Sequence, residues 1–511
     1  MTTTATNDAA DAPAAKSLYS EKYTSLVLFL LALAYAINFV DRSIVTILGQ
    51  AIKVDLKITD TQLGLLGGLY FALLYTVLGI PIARLAERYS RVNIIAISMI
   101  IWSGFTVACG TAANYLMLSI YRFGVGVGEA GLAPPAHSLI SDYFPRHRRA
   151  QALAAFSVGV PVGTMTGAIV GGWLTTHFSW RFAFVMVGLP GIIVAIIIKL
   201  LMKEPPRGHI DAEAAAHAAG DLAGVPATSK PAKTPFSIGG ELREVGRVVR
   251  LLFGQWPVAN ILIGLSLVTC AGFGTGQFSA PYYVRAFGLT FAQVGMIVGV
   301  IGGISAIIGT FVSGWVTDRM AKIHPAGYAL TPAVALALTV PLHLAVYNAP
   351  TWQVAAALLA LPGLLAGYQL GASFAVVQNV APVRQRATAT AVLMFVMNLV
   401  GMGLGPPLAG IVIDHYAAFH LAYPDASGFW AAVTHLFDSV PAFKAACPGG
   451  QAPVGSAAEA KAACHGALVL GTRHGIMTMF GFTLWGATHY ALAAFGMKAA
   501  MERAKAAQAA V

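Results

Sequence analysis

Residues 83–91 read ARLAERYSR, and far along the chain residues 314–322 read GWVTDRMAK. Each begins with a small residue, sets an acid directly before an arginine, and places a second base three positions after that arginine. Each also stands between long apolar runs, and a pattern repeated in corresponding loops marks a duplicated unit. Outward from the first copy, apolar runs lie near residues 24–52, 60–86, 92–113, 115–143, 150–176 and 180–203. Around the second they lie near 256–285, 290–318, 328–348, 352–377, 387–415 and 471–498. Runs of about 18 residues or more suffice to cross a hydrocarbon core of roughly 30 Å as helices. The two copies follow the second and eighth runs. The expected fold is therefore an all-α membrane protein with about twelve transmembrane helices in two pseudo-symmetric six-helix bundles.

Composition agrees with that expectation. Of 511 residues, 57% are hydrophobic and only 10% charged, against roughly 25% charged in soluble domains; mean hydropathy is +0.71. A membrane barrel would instead need alternating strands of about ten residues. Residues 1–17 are polar and lack a basic segment leading into a short apolar core, so no cleavable signal is expected. The net charge of +11 would suit nucleic acid if it were clustered on a soluble face. Instead the basic residues concentrate in alternate loops, as the positive-inside rule requires. No nucleic-acid partner is expected. The rule places both termini in the cytoplasm of a multi-pass protein, here expected in a bacterial inner membrane.

The domain reading is a tail at 1–23, a bundle at 24–203, a linker at 204–255, a bundle at 256–498 and a tail at 499–511. Within the linker, HIDAEAAAHAAGDLAGVPATSKPAKT has the composition of a flexible segment. SIGGELREVGRVVRLLF sets Arg243, Arg247 and Arg250 at helical spacing, as in an amphipathic helix on the inner membrane surface. The long loop at 416–470 falls on the non-cytoplasmic side, where disulfides persist, and a bridge is expected between Cys447 and Cys464. Cys109 and Cys270 lie in spans and read as small apolar residues.

Ionisable residues inside spans are costly and mark ion or substrate pathways. Asp41 and Arg42 fall in the first span, and Arg122 and Glu129 in the fourth, within YRFGVGVGEAGLAPP at 121–135. Gly126, Gly128 and Gly131 there spell GxGxxG, but no strand or βαβ unit surrounds them. They read instead as positions where helices approach closely. Seven residues make almost two helical turns, so Arg122 and Glu129 share a face roughly 10 Å apart.

GIPIARLAERYSR and SGWVTDRMAK resemble the loop signature of the major facilitator superfamily, and Leu118-x3-Arg122-x3-Gly126-x-Gly128 resembles its fourth-span motif. SVGVPVGTMTGAIVGG and NLVGMGLGPPLAG look like the glycine-proline motif of its fifth and eleventh spans. Asn38-x2-Asp41-Arg42, together with the fourth-span stretch ending GEAG, is similar to the spinster-like family, whose members export lysophospholipids or sphingolipids. The fold this resemblance implies sets spans 1 and 4 face to face. A rise of about 1.5 Å per residue then places Asp41 between Glu129 and Arg122 in height, so both acids are expected to compete for Arg122. Protonation of either acid would free Arg122 for a lipid phosphate and let the halves rock, with the proton as coupling ion and no other cofactor.

The expected function is proton-coupled alternating access by a monomeric secondary transporter for amphipathic lipids with an anionic headgroup. The alternatives are a carrier of small organic anions and a multidrug exporter. Asn38, Gln277, Gln369 and Asn398 are candidates to bind the headgroup, with Phe273, Tyr282, Tyr283 and Phe395 along the tail. Arg84, Glu87, Arg88, Arg91, Asp142, Arg146, Asp318, Arg319 and Arg386 are expected to form latches at the cytoplasmic gate. His137 and Asp142 match the short H-x4-D signature of glycerolipid acyltransferases. That pattern already lies within the fourth span, and no metal-protease, P-loop or nucleophile-elbow motif accompanies it, so no enzyme is expected. A channel is disfavoured by the six-plus-six repeat and the absence of a repeated filter motif.

Overall fold

A computed structural model describes residues 18–208, 238–382, 385–436, 438 and 440–509, and every regular element among them is helical. Helix limits follow from local chemistry. In α1 (Glu21–Leu56) the Ser20 side chain accepts from the Tyr23 amide at the start, and Lys57 turns left-handed at the end. α2 (Asp60–Arg88) opens on a capping box between Thr59 and Gln62, which satisfies two otherwise unpaired backbone donors. α3 (Arg91–Cys109) starts from Ser90, whose hydroxyl accepts from the Asn93 amide. α5 (Gln151–His177) and α6 (Trp180–Leu201) complete the first bundle. In the second, α7 (Trp256–Phe287), α8 (Phe291–Ile323), α9 (Gly327–Tyr347), α10 (Trp352–Val380) and α11 (Thr388–Ala422) follow the expected runs.

Ten helices among the described residues are long and apolar enough to cross a membrane. α4 and α12 supply the other two crossings by different means. α4 breaks after Tyr115–Glu129 and resumes as Ala133–Tyr143 with Pro134 and Pro135 in its first turn, where proline's missing N–H is tolerated. α12 (Ala458–Ala494) is longer than the apolar run alone suggests and extends back into the expected loop.

Apolar burial explains how the halves meet. One core belongs to the first bundle, around Leu31, Ile95, Trp102 and Phe156, and another to the second, around Leu265, Val376 and Tyr490. A third is shared, bringing Ile44, Leu48 and Leu63 against Phe278, Tyr283 and Met479. These shared residues lie toward the end of the molecule opposite Arg88 and Arg91. We call the arginine-rich end the basic face and the other the distal face. The halves are joined at the distal face and apart at the basic face.

The linker helix is placed differently from expectation, whereas the expected disulfide in the long loop is present. The linker helix, Ile238–Phe253, does form, but Val248 and Leu252 are buried in the second bundle's core. It packs on protein through that side while Arg243, Arg247 and Arg250 stay exposed. The preceding flexible-linker segment falls outside the described residues. On the distal face Cys447 and Cys464 are joined in a disulfide, 5.8 Å between Cα atoms. The turn after Cys447 uses Gly449 and Gly450 at φ 69° and 85°. It sits over the end of α1 so closely that a Cβ on Gly449 would lie 3.1 Å from the Lys53 carbonyl oxygen.

Candidate functional site

A cavity of about 1320 Å³ lies between the bundles. Arg84 and Glu87 of α2 and Gln378 and Arg386 of the second half line its end at the basic face. Its walls differ in chemistry. The first bundle contributes Arg42, Arg122 and His137 beside the aromatic rings of Tyr35, Phe39, Phe71 and Tyr75. The second contributes mainly Phe273, Val298, Met394, Phe395, Met397 and Met402, with Gln277 and Asn398 as polar points.

The glycine ladder of α4 explains how charge reaches that wall. A Cβ on Gly126 would lie 2.7 Å from the Phe71 carbonyl oxygen, and one on Gly128 would lie 2.5 Å from the Trp102 amide nitrogen. Only glycine allows α4 this close to α2 and α3 at once. Glu129, 1% exposed, then accepts a hydrogen bond at 2.7 Å from Arg42 Nε across the α1–α4 contact. The Arg42 guanidinium also lies 4.6–5.0 Å from the ring centroids of Phe39, Phe71 and Tyr75, a cation–π cage. Arg122 lies on the same Phe71 ring at 5.5 Å.

This arrangement corrects the expected competition for Arg122. Glu129 pairs with Arg42, the neighbour of Asp41, because Arg42 reaches across from α1. Arg122 is left with a long bond from Nε to the Leu66 carbonyl, 3.4 Å, while its Nη1 has no hydrogen-bond partner. Asp41 is fully buried; Trp102 and Thr106 face its carboxyl, yet neither oxygen makes a hydrogen bond. The Asn38 amide nitrogen and Glu129 Oε1 are likewise buried without partners. The centre of the first bundle thus holds several buried polar groups that face one another, Asp41 with Trp102 and Thr106 and Glu129 with Asn38, without closing well-formed hydrogen bonds.

Placement of the other expected residues is mixed. Gln277, Asn398, Phe273 and Phe395 line the cavity, whereas Asn38, Tyr282 and Gln369 do not. Tyr282 is buried toward the distal face and donates its hydroxyl hydrogen to the Tyr347 carbonyl at 2.8 Å. Tyr283 is buried beside it. Gln369 lies beside Ser373 and Tyr490, where its carbonyl accepts from the Ser373 hydroxyl at 2.6 Å.

At the basic face the ion pairs seen among the described latch residues Arg84, Glu87, Arg91 and Asp142 run within the first half. Arg91 bonds to Asp142, to Glu204 at 2.7 Å and to Ser138 at 2.9 Å, all within the first half. Arg84 and Glu87 pair along one helix at 3.3 Å. Among the described residues no ion pair joins Arg88, Asp318 or Arg319; the Arg146 side chain lies outside them. The open cavity mouth separates the two sets of ends. Glu204, absent from the sequence expectations, accepts from Ser90 Oγ and the Val92 amide at 2.9 and 3.0 Å. Ser90 therefore joins a cap and a latch.

The distal face is closed by a charge network that sequence reasoning missed. Asp60 of α2 takes Lys53 of α1 at 2.5 Å and Arg285 of α7 at 2.6 and 3.1 Å. Arg285 also donates to Gln50 at 2.6 Å and Thr472 at 2.7 Å. Asp414 of α11 accepts from the Asp60 and Thr61 amides at 2.9 and 2.8 Å, and from the Thr61 hydroxyl at 2.7 Å. Lys53, Asp60 and Arg285 are each at most 3% exposed. A signal was available: Arg285 in YYVRAFG and Asp414 in IVIDHY are charges in apolar surroundings, like Arg122.

The profile of the Major Facilitator Superfamily matches residues 31–406. Among solved structures the chain is similar to a bacterial homologue of the human lysosomal transporter Spinster in an inward-facing, unoccupied conformation. The two are 30% identical, the match covers 94% of this chain and 99% of that one, and the TM-score is 0.78. The MFS-type efflux pump of Mycolicibacterium smegmatis is 28% identical over 385 residues, covering 75% of this chain and 83% of that protein. The hexuronate transporter of Bacillus subtilis is 26% identical over 416 residues, covering 80% and 93%.

Proposed function

The chain belongs to the Major Facilitator Superfamily of transporters, and on that premise we propose that it moves an amphipathic lipid with an anionic headgroup, coupled to protons. The observation carrying this reading is the division of the cavity: Arg42 and Arg122 beside aromatic rings on the first-bundle wall and a broad methionine–phenylalanine wall opposite, with Arg84 and Arg386 at the mouth. A phosphate-bearing headgroup suits Arg122, whose Nη1 lacks a hydrogen-bond partner, because a guanidinium binds such oxygens in pairs. A tail suits the apolar wall. A sugar acid such as a hexuronate would meet the arginines but leave that wall without apolar contact.

Asp41 is the proposed proton carrier. A bare carboxylate sealed without a partner carries a large desolvation cost, so Asp41 is proposed to hold its proton in this conformation and release it when a guanidinium reaches it. Arg122 is available for that role, since Arg42 is already engaged by Glu129. The basic face is assigned to the cytoplasm by the positive-inside rule, together with both termini. The conformation then has its cavity open to the cytoplasm and its distal face locked.

The test is transport in proteoliposomes with an imposed pH gradient and a fluorescent lysophospholipid, comparing wild type with Asp41→Asn, Arg122→Ala and Glu129→Gln. Gradient-driven movement in wild type is expected to fall at least about tenfold in each variant. Movement that ignores the gradient and survives both acid substitutions would remove the carboxylates from coupling. Absence of lipid movement beside saturable uptake of a hexuronate would replace lipid with a small anion.

A further inference from the structure

A second concavity lies on the outer surface of the second bundle, sharing no residue with the transport cavity. It occupies about 510 Å³ between α8, α9 and α10. Its floor is made by small residues: Ala326 and Gly327 are buried, and a Cβ on Gly327 would meet the Met320 backbone at 2.5 Å. Its rim is apolar and open, with Ile323, Leu330, Val334 and Leu338 between 47% and 74% exposed. From Ala326 to Leu338 the helical rise gives roughly 18 Å. That is about the depth of one leaflet of a hydrocarbon core of roughly 30 Å.

The basic-face end of this groove is charged. Of the basic residues at that end His324 lines the groove, and Arg319 and Lys322 are exposed on the adjoining last turns of α8, with Asp318 the one acid adjoining them in sequence. Arg319 lies over the ring of Trp315 at 6.0 Å, and Trp315 is 67% exposed. That contact holds the guanidinium on the outer side of α8, away from the inter-bundle cleft. Among the described residues neither Arg319 nor Lys322 has a carboxylate partner. Basic positions above an apolar slot between transmembrane helices complement an anionic lipid headgroup.

We propose that this groove is a binding site for one acyl chain of an anionic phospholipid from the basic-face leaflet, its phosphate held by Arg319 and Lys322. The lipid is a resident ligand, distinct from any cargo in the central cavity. Its chain runs along the small floor residues Ala326, Gly327 and Ala335 between the exposed rim side chains, and its phosphate replaces the missing carboxylates.

Native mass spectrometry of the purified full-length protein, titrated with phosphatidylglycerol or phosphatidylcholine of identical chains, tests this. Wild type is expected to retain one phosphatidylglycerol with roughly 10- to 30-fold preference, the range set by two surface-located basic side chains. Leu330→Trp, which fills the groove, is expected to lose that lipid. Lys322→Gln is expected to keep a lipid but lose several-fold of the preference. Both positions are exposed, and thermal unfolding in lipid-free detergent, expected to match wild type, verifies folding. Equal retention by Leu330→Trp would place the lipid elsewhere, and equal binding of the two headgroups would overturn the charge recognition; neither readout depends on transport.

Discussion

Asp41 and Glu129 are both sealed from water, yet only Glu129 has a cation bonded to it. This difference fixes the direction of two substitutions. Arg42→Ala strands a buried carboxylate and is expected to cost about 3–5 kcal/mol. Asp41→Asn replaces an acid proposed to be protonated with a neutral side chain of the same shape and strands no charge, so it is expected to lower stability far less than Arg42→Ala. Thermal unfolding in detergent compares them, and equal losses would contradict the pairing. Outside the membrane, Glu204 gives a pH prediction. Burial raises its pKa, but the Val92 amide and Arg91 guanidinium outweigh burial and hold it below the usual carboxylate value. Its contribution is therefore present above that value and lost only as pH falls through the lowered one. Glu204→Gln is expected to lower stability equally between about pH 5 and 8, with the gap to wild type closing below about pH 4. A gap that changes near neutrality would contradict this. The charged residues themselves were legible because charge inside an oily run is costly. Their pairing was not, since Arg42 and Glu129 lie 87 positions apart and depth along a helix does not say which side chain reaches across.

α4 was legible as a crossing, but its break after Glu129 was visible only as a pair of prolines. The ladder of glycines foretold close approach without saying to what. The neighbours turn out to be the Phe71 carbonyl and the Trp102 amide, rigid backbone that cannot yield as a side-chain tip can. Gly128→Ala must push α4 off α3, and overpacking of this kind costs roughly 1–3 kcal/mol. It should also separate Glu129 from Arg42, so the loss of gradient-driven transport should exceed what the stability change explains. Gly104→Ala in α3 is the control: nothing lies within 4 Å of its added Cβ, and a helical alanine is favoured over glycine by about 1 kcal/mol. Opposite shifts in unfolding temperature are expected, and a shared direction would show that helix propensity, not packing, governs α4. The linker helix teaches the same limit. Its amphipathic pattern was plain, but the pattern alone could not distinguish a membrane surface from the apolar core that receives Val248 and Leu252.

At the scale of the molecule, the repeat and the apolar runs made the two bundles legible, whereas the face on which they part was not, because hydrophobic runs and charges place helices in the membrane without saying at which end the bundles meet. The distal network shows how closure can remain reversible. Burying ion pairs costs nearly as much in desolvation as it returns in attraction, so a joint made of Lys53, Asp60, Arg285 and Asp414 holds geometry at little net gain. Opening rehydrates the same charges. An apolar plug would regain nothing from water and would stay shut. The disulfide-linked turn resting on the Lys53 carbonyl adds a contact from the second half onto α1 that must also part. Two substitutions should move the equilibrium in opposite directions. Asp60→Asn leaves Lys53 and Arg285 facing each other without their shared carboxylate, which favours hydration and opening by about 3–5 kcal/mol, or roughly two to four orders of magnitude in population. Replacing the triad with apolar residues of similar size, Lys53→Met with Asp60→Leu and Arg285→Met, should hold the distal face closed and slow transport while raising unfolding temperature. Distances between spin labels placed on the distal ends of α1 and α7 read both outcomes directly. Lengthening in Asp60→Asn with a single short distance in the apolar triple variant is the expected pair; a short distance in both would mean that the shared apolar core, not the charges, keeps the face closed.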